Sequence, residues 1–254
     1  MTGGPLCYVY AIVDAPPRHL EVCPGVDGTA VTTVERGELA AVVSLVDRDR
    51  FDAESLRANL EDLDWLEQTA RAHHQVIDTI ARQTPVAPLR MATILWDERG
   101  VAELLEANRP EFTEVLERVR GREEWGVKAY AMPVGPRDAP PGPAESAGGP
   151  GTAYLMRKRG QRDRARQAVQ TGADLARRLH DVLTGHSVAA RVYPPQDPRL
   201  SGRTEPMALN AAYLVAAADA ESLRAAAARF DSPDLRVELT GPWAPYSFAE
   251  VSQP

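Results

Sequence analysis

The sequence predicts an α+β fold in two domains, and three observations carry that reading. Short β-branched and aromatic runs alternate with segments whose apolar residues recur at three- and four-residue steps. A stretch rich in proline and glycine, 133–151, interrupts the alternation. From Trp125 onward the segments follow the order β-α-β-β-α-β, the split βαβ arrangement of a ferredoxin-like domain. With 254 residues, 44% of them hydrophobic, the chain can bury a sizeable core. The expected domains are 1–120, a ferredoxin-like variant, and 121–254, ferredoxin-like, with a flexible loop at 133–151 and an aromatic tail at 240–254.

Tyr8-Val9-Tyr10-Ala11-Ile12-Val13 reads as a strand that ends at Asp14 and the Pro16-Pro17 pair. Strands follow near 30–34 and 39–45, with Arg36-Gly37-Glu38 as the hairpin turn. Leu56, Leu60, Leu63, Ala70, Ile77 and Ile80 form one helical stripe, closed by Pro85 and Pro88. Residues 89–95 read as a strand and 101–119 as helix, with Pro110 opening its second segment. The span from Asp14 to Thr29 is too short and too rich in Pro and Gly for a first crossover helix, which makes this domain a variant.

Trp125 to Ala131 returns to strand character. In 133–151, six prolines and five glycines fill 11 of 19 positions, a composition that cannot bury a core. A long helix is expected from about Thr152 to Thr184, stopped by Gly185. Strand 187–192, a Pro-rich loop at 194–206, strand 208–215, helix 220–230 and strand 235–239 complete the order.

Catalytic and metal chemistry find no support in the spacing. There is no Gly-Lys-Ser/Thr phosphate cradle and no nucleophile-elbow serine. His73 and His74 are adjacent, so on a helix they point about 100° apart and cannot chelate one ion as an i, i+4 pair can. Cys7 and Cys23 have no partners at zinc-ligand spacing and are too few for a disulfide framework. The expectation is a non-enzyme with no catalytic residue, cofactor or metal. A reducing cytoplasm is expected, because the opening Met1-Thr2-Gly3-Gly4-Pro5 lacks the basic start of a secretory signal. No apolar run approaches the ~18 residues of a membrane span.

Two features are candidate contact sites. Arg157, Lys158, Arg159, Arg162, Arg164 and Arg166 place six cations beside the single Asp163, an electrostatic stripe for an acidic protein surface or a nucleic-acid backbone. No interleaved aromatics follow for base stacking, so nucleic acid is the lesser reading. Thr240 to Phe248 holds Trp243, Tyr246 and Phe248 with Pro242 and Pro245, which bar a regular ladder. Those aromatics either anchor a partner or dock into the chain's own core. Self-docking is favoured, since exposing all three together invites aggregation.

Leu239-Thr240-Gly241-Pro242-Trp243-Ala244-Pro245-Tyr246-Ser247-Phe248 resembles the C-terminal signature of the gas vesicle GvpL/GvpF family. In family order it is preceded by Tyr8 to Val13, Pro85-Val86-Ala87-Pro88-Leu89-Arg90-Met91-Ala92-Thr93, Gly121 to Lys128, and the Arg-rich helix beginning Tyr154-Leu155. Met91 and Ala92 depart from the Phe and Gly expected there. The resemblance implies two α+β domains and a non-enzymatic accessory protein of gas vesicle formation. It implies binding of the hydrophobic shell protein and other vesicle proteins during assembly, and a place in the cytoplasm on or near the vesicle. The alternatives are a regulatory module that binds a small ligand, or nucleic-acid binding through Arg157 to Arg166. The net charge of −7 is unevenly spread: residues 1–120 carry 12 basic and 21 acidic side chains, net −9, and the remainder carries +2.

Overall fold

The structure, a computed structural model, describes residues 4–14, 23–132, 150–197 and 203–249. It is mixed α+β, built on two antiparallel sheets. The chain divides into two compact units, one of Met1–Glu124 with Pro242–Pro254 and one of Trp125–Gly241.

The first unit holds β1 (Leu6–Asp14), β2 (Val31–Arg36), β3 (Leu39–Val46), β4 (Val86–Pro88) and β5 (Ile94–Leu95). The sheet order is β2-β3-β1-β4, with β5 also paired to β1. Every β1 residue up to Val13 is buried. A register shift between Val9 and Ala11 resets the in-out alternation. Tyr8, Tyr10, Ala11 and Val13 therefore face one core, while Cys7, Val9 and Ile12 face another. Helices cover both faces. On the tyrosine side lie α1 (Arg48–Phe51) and α3 (Leu63–Ala81), which contribute Phe51, Val76, Ile77 and Ile80. On the other lie α4 (Glu98–Ala107) and α5 (Arg109–Val119), with Val101, Leu105, Phe112 and Leu116. The nearly unbroken apolar runs of β1 and β3 follow from that double burial.

The second unit is built from β6 (Arg122–Ala131), α6 (Pro150–Gly185), β7 (Ala189–Val192), β8 (Met207–Ala216), α7 (Ala220–Ala228) and β9 (Leu235–Trp243). The sheet order is β7-β8-β6-β9. Alternate residues of β6 and β8, among them Trp125, Val127, Leu209 and Tyr213, form one core with Leu179 and Leu183 of α6 and Leu223 of α7. Tyr213 is tied to α6 through its hydroxyl, 2.8 Å from His180 Nδ1.

Several expectations need correction. The Leu56-to-Ile80 stripe is not one helix: α2 (Ala53–Glu61) ends at Asp62, whose carboxylate accepts from the backbone N–H of Asp64 and Trp65 and caps α3. Nothing in α2 is buried. Residues 89–95 do not form a single strand. Pro88 lies inside edge strand β4, where a missing N–H is tolerated, and Ala92 turns the chain at φ +64° before β5. Likewise β9 runs on through Pro242 to Trp243 as an edge strand, longer than the prolines suggested. The long helix begins at Pro150, inside the predicted loop, and proline is well tolerated at a first helical turn. The rest of that loop, 133–149, lies outside the described residues. The tail, expected with the second domain, packs in the first unit, and the division falls after Glu124 rather than near 120.

Candidate docking surfaces

Within β9 the chain passes Gly241, whose φ of +133° suits glycine alone, and the strand ends at Trp243. Beyond it, Ala244 is buried among Tyr8, Phe51 and Ile77 on the tyrosine side of the first sheet, with Tyr246 packed against the same cluster. Residues Tyr246–Phe248 make one 3-10 turn. Tyr246 sets its hydroxyl 2.8 Å from His74 Nδ1, the two rings meeting edge-on with centroids 5.1 Å apart. Burial raises the Tyr246 phenol well above its ordinary pKa, so it stays protonated. Ser247 donates twice to the buried Glu124 carboxylate, from its backbone N–H at 2.8 Å and its hydroxyl at 2.5 Å. Arg118 reaches the Phe248 carbonyl at 3.5 Å. Phe248 is buried, and Ala249 enters the second core beside Leu116.

Two of the three tail aromatics, Tyr246 and Phe248, therefore belong to the first unit's own packing. Trp243 is the most exposed of the three, at 49%. Sequence reasoning found the aromatics but missed Glu124 and His74, the two groups that hold the turn. Their only signal was an acid just before the strand predicted at Trp125 and a histidine on a predicted helix, and neither spacing pointed to residues more than 120 positions away.

The cationic stripe falls on the first half of α6. Lys158, Arg159, Arg162, Arg164 and Arg166 are all exposed, and the Arg157 side chain lies outside the described residues. Lys158, Arg159, Arg162, Asp163 and Arg166 line a shallow hollow of about 410 Å³. The burial pattern explains this exposure. A 36-residue helix is about 54 Å long, whereas the ten residues of β8 span about 33 Å, so α6 overhangs its sheet. Among the described side chains of α6 the first buried one is Ala168.

The polar groups inside the first unit are structural in their geometry. Tyr10 donates to Ser44 Oγ at 3.0 Å and accepts from the Val26 N–H at 2.8 Å, while Ser44 donates to the Ala30 carbonyl. Tyr8 Oη lies 3.1 Å from His73 Nδ1. Burial, reinforced by neighbouring His74, holds the His73 pKa down to about 4, so the ring is neutral at pH 7. Among the described residues no group of three or more His, Cys, Asp and Glu side chains is disposed to hold a metal ion. No helix among them is long and apolar enough to cross a membrane.

The family model described as gas vesicle synthesis protein GvpL/GvpF matches residues 6–250. The chain belongs to the GvpL/GvpF family. The Gas vesicle protein L of Streptomyces sp. (strain CB03234) is 42% identical to it over 255 aligned positions, covering 100% of this chain and 96% of that one. The crystal structure of the gas vesicle protein GvpF from Anabaena sp. PCC7120 superposes with a TM-score of 0.67 at 18% identity, over 98% of both chains. That of GvpF from Microcystis aeruginosa gives 0.66 at 19%, over 97% and 99%. These two likenesses establish the fold. Membership of the GvpL/GvpF family implies a role in gas vesicle formation.

Proposed function

We propose that this GvpL/GvpF chain is a non-enzymatic assembly protein that binds the hydrophobic gas vesicle shell protein, together with other vesicle proteins, before and during wall formation. It works in the cytoplasm and stays with the vesicle as a minor component. A shell subunit must bury apolar faces and strand edges in the wall, so before assembly it is prone to aggregate. A helper needs an open sheet edge with apolar side chains beside it.

The observation that best supports this reading is β7. It is the edge strand of the second sheet, four residues long, paired only to β8 within that sheet. Val188, just before it, and Val192, its last residue, are each more than half exposed. A strand added along β7 gains ladder hydrogen bonds while its apolar side chains cover the two valines. Exposed Trp243 is a second candidate anchor, whereas Tyr246 and Phe248 serve the fold.

We also read both sheets as ferredoxin-like. Within each unit the strand order, counted in chain order, is 2-3-1-4, and the first unit carries only the 3-10 turn Val26–Gly28 among the described residues between its first two strands.

Co-expression with the shell protein and pull-down from soluble extract and from purified vesicles tests the proposal. Capture is expected, and the exposed-site variant Val188→Glu/Val192→Glu should weaken it about tenfold. Absence of the shell protein from both fractions would refute the reading.

A further inference from the structure

The leucine stripe that the fold leaves unburied has a complementary surface elsewhere in the same sequence. Leu56 and Leu60 lie one turn apart on α2, and Leu63 opens α3 across the single extended residue Asp62. Leu63 is 76% exposed and Leu60 38%, an unusual placement for an apolar row at helical spacing. Around it Glu61, Asp62, Asp64 and Glu67 are all exposed, Asp62 also capping α3 and Glu67 paired with Arg71. The first half of α6 has the opposite character. Arg159, Arg162 and Arg166 are exposed along it, with Met156 63% exposed at its beginning. Met156 to Arg166 covers about 15 Å of α6, while the leucine stripe runs over the end of α2 and the start of α3.

We propose that the cationic half of α6 in one copy docks on the acidic leucine stripe of α2 and α3 in a second copy. Arginine suits this contact. Its aliphatic stem can lie across an exposed leucine while its guanidinium reaches a carboxylate at the margin, so one side chain satisfies both features of the stripe. The second copy is chosen as occupant because both halves of the complementarity are present in this chain: opposite charge, and apolar groups left in water on each side. The contact is heterologous, with different patches from the two partners, so each pair leaves one free face of either kind and can grow further. It is independent of the shell-protein reading, since it needs only the purified chain.

Sedimentation velocity of the full chain over a concentration series, at about 0.05 M and about 0.5 M salt, tests it. Mass should rise with concentration at low salt, and association should weaken at least about tenfold at high salt. The pair Leu60→Glu/Leu63→Glu and the triple Arg159→Glu/Arg162→Glu/Arg166→Glu change exposed positions, and circular dichroism should show both folded. Each alone should be monomeric at low salt. Mixed together they should associate again, because each keeps the face the other has lost. A wild type that stays monomeric at low salt overturns the proposal, including the case where it merely becomes more compact through contact within one chain. So does a mixture that fails to associate, or a wild-type association that neither variant disturbs.

Discussion

The first sheet is buried on both faces by helices, with two apolar clusters meeting at β1, whereas the second builds one cluster and leaves short β7 at its edge in water. Residues Pro242–Pro254 also belong to the first unit, although they follow the second in sequence. The difference separates stability from contact. In the first unit most aromatics are committed to packing, Trp96 and Trp243 remaining exposed, and the packed ones include two that sequence reasoning offered as partner anchors. Val188 and Val192 at β7 and the cations of α6 lie on exposed surface of the second unit.

Removing the tail should expose this contrast most strongly. Truncation after Gly241 strips Ala244 and Tyr246 from one cluster and Ala249 from the other. The first unit should lose about 4 kcal/mol, the scale of deleting a large buried side chain with incomplete collapse of the gap. Hydrogen exchange should show faster amides in β1 and α3 and unchanged amides in β8. Equal acceleration in both units would mean that the tail is not a first-unit element.

Acid provides the next largest effect, again confined to the first unit. His73 titrates near 4 in the folded protein and near 6.5 when unfolded. Between those values the unfolded chain binds the proton and the folded one does not, so stability falls as pH drops from 6.5 towards 4. The full window is worth about 3 kcal/mol. Urea midpoints should decline with acid more steeply in the wild type than in His73→Gln. Parallel declines would exonerate the buried imidazole.

Most of the regular elements were legible because their periodicity is local. The apolar runs of β1, β3 and β8 and the stripes of α3 to α7 report which residues share a face. What covers that face is decided by groups distant in the chain. Leu60 and Leu63 continue the spacing of Ile77 and Ile80, yet the Asp62 cap breaks the helix and only the later residues meet β1. That cap was itself a readable signal, an aspartate whose side chain offers the backbone an alternative to helix. For the tail, composition foretold docking, but the choice of unit rests on Glu124 and His74, which no local pattern connects to Ser247 and Tyr246.

A smaller effect should fall on the second unit alone. A Cβ at Gly172 of α6 would stand 2.8 Å from the Ala131 Cα and closer still to its Cβ, so helix and strand approach there with only the Ala131 methyl between them. Gly172→Ala ordinarily favours a helix by about 1 kcal/mol, but here the overlap is with backbone and cannot be relieved by a rotamer change. The net expectation is a loss of about 2 kcal/mol, seen as faster exchange in β6 and β8. A stabilised variant would show that α6 can lift away from the sheet freely.

The smallest effect divides the tail anchor into its parts. Glu124 takes two hydrogen bonds from one residue, the Ser247 N–H and hydroxyl. Ser247→Ala removes the hydroxyl bond and leaves the N–H bond, at a cost of about 1 kcal/mol. Glu124→Gln keeps the shape but replaces one acceptor oxygen with a donor and removes the charge that strengthens both bonds, so it should cost about 2 kcal/mol. In the double variant the two losses should add to less than their sum, because they share the same contact. If they add fully, Glu124 and Ser247 act separately, and the tail is held by its apolar residues and the Tyr246–His74 pair instead.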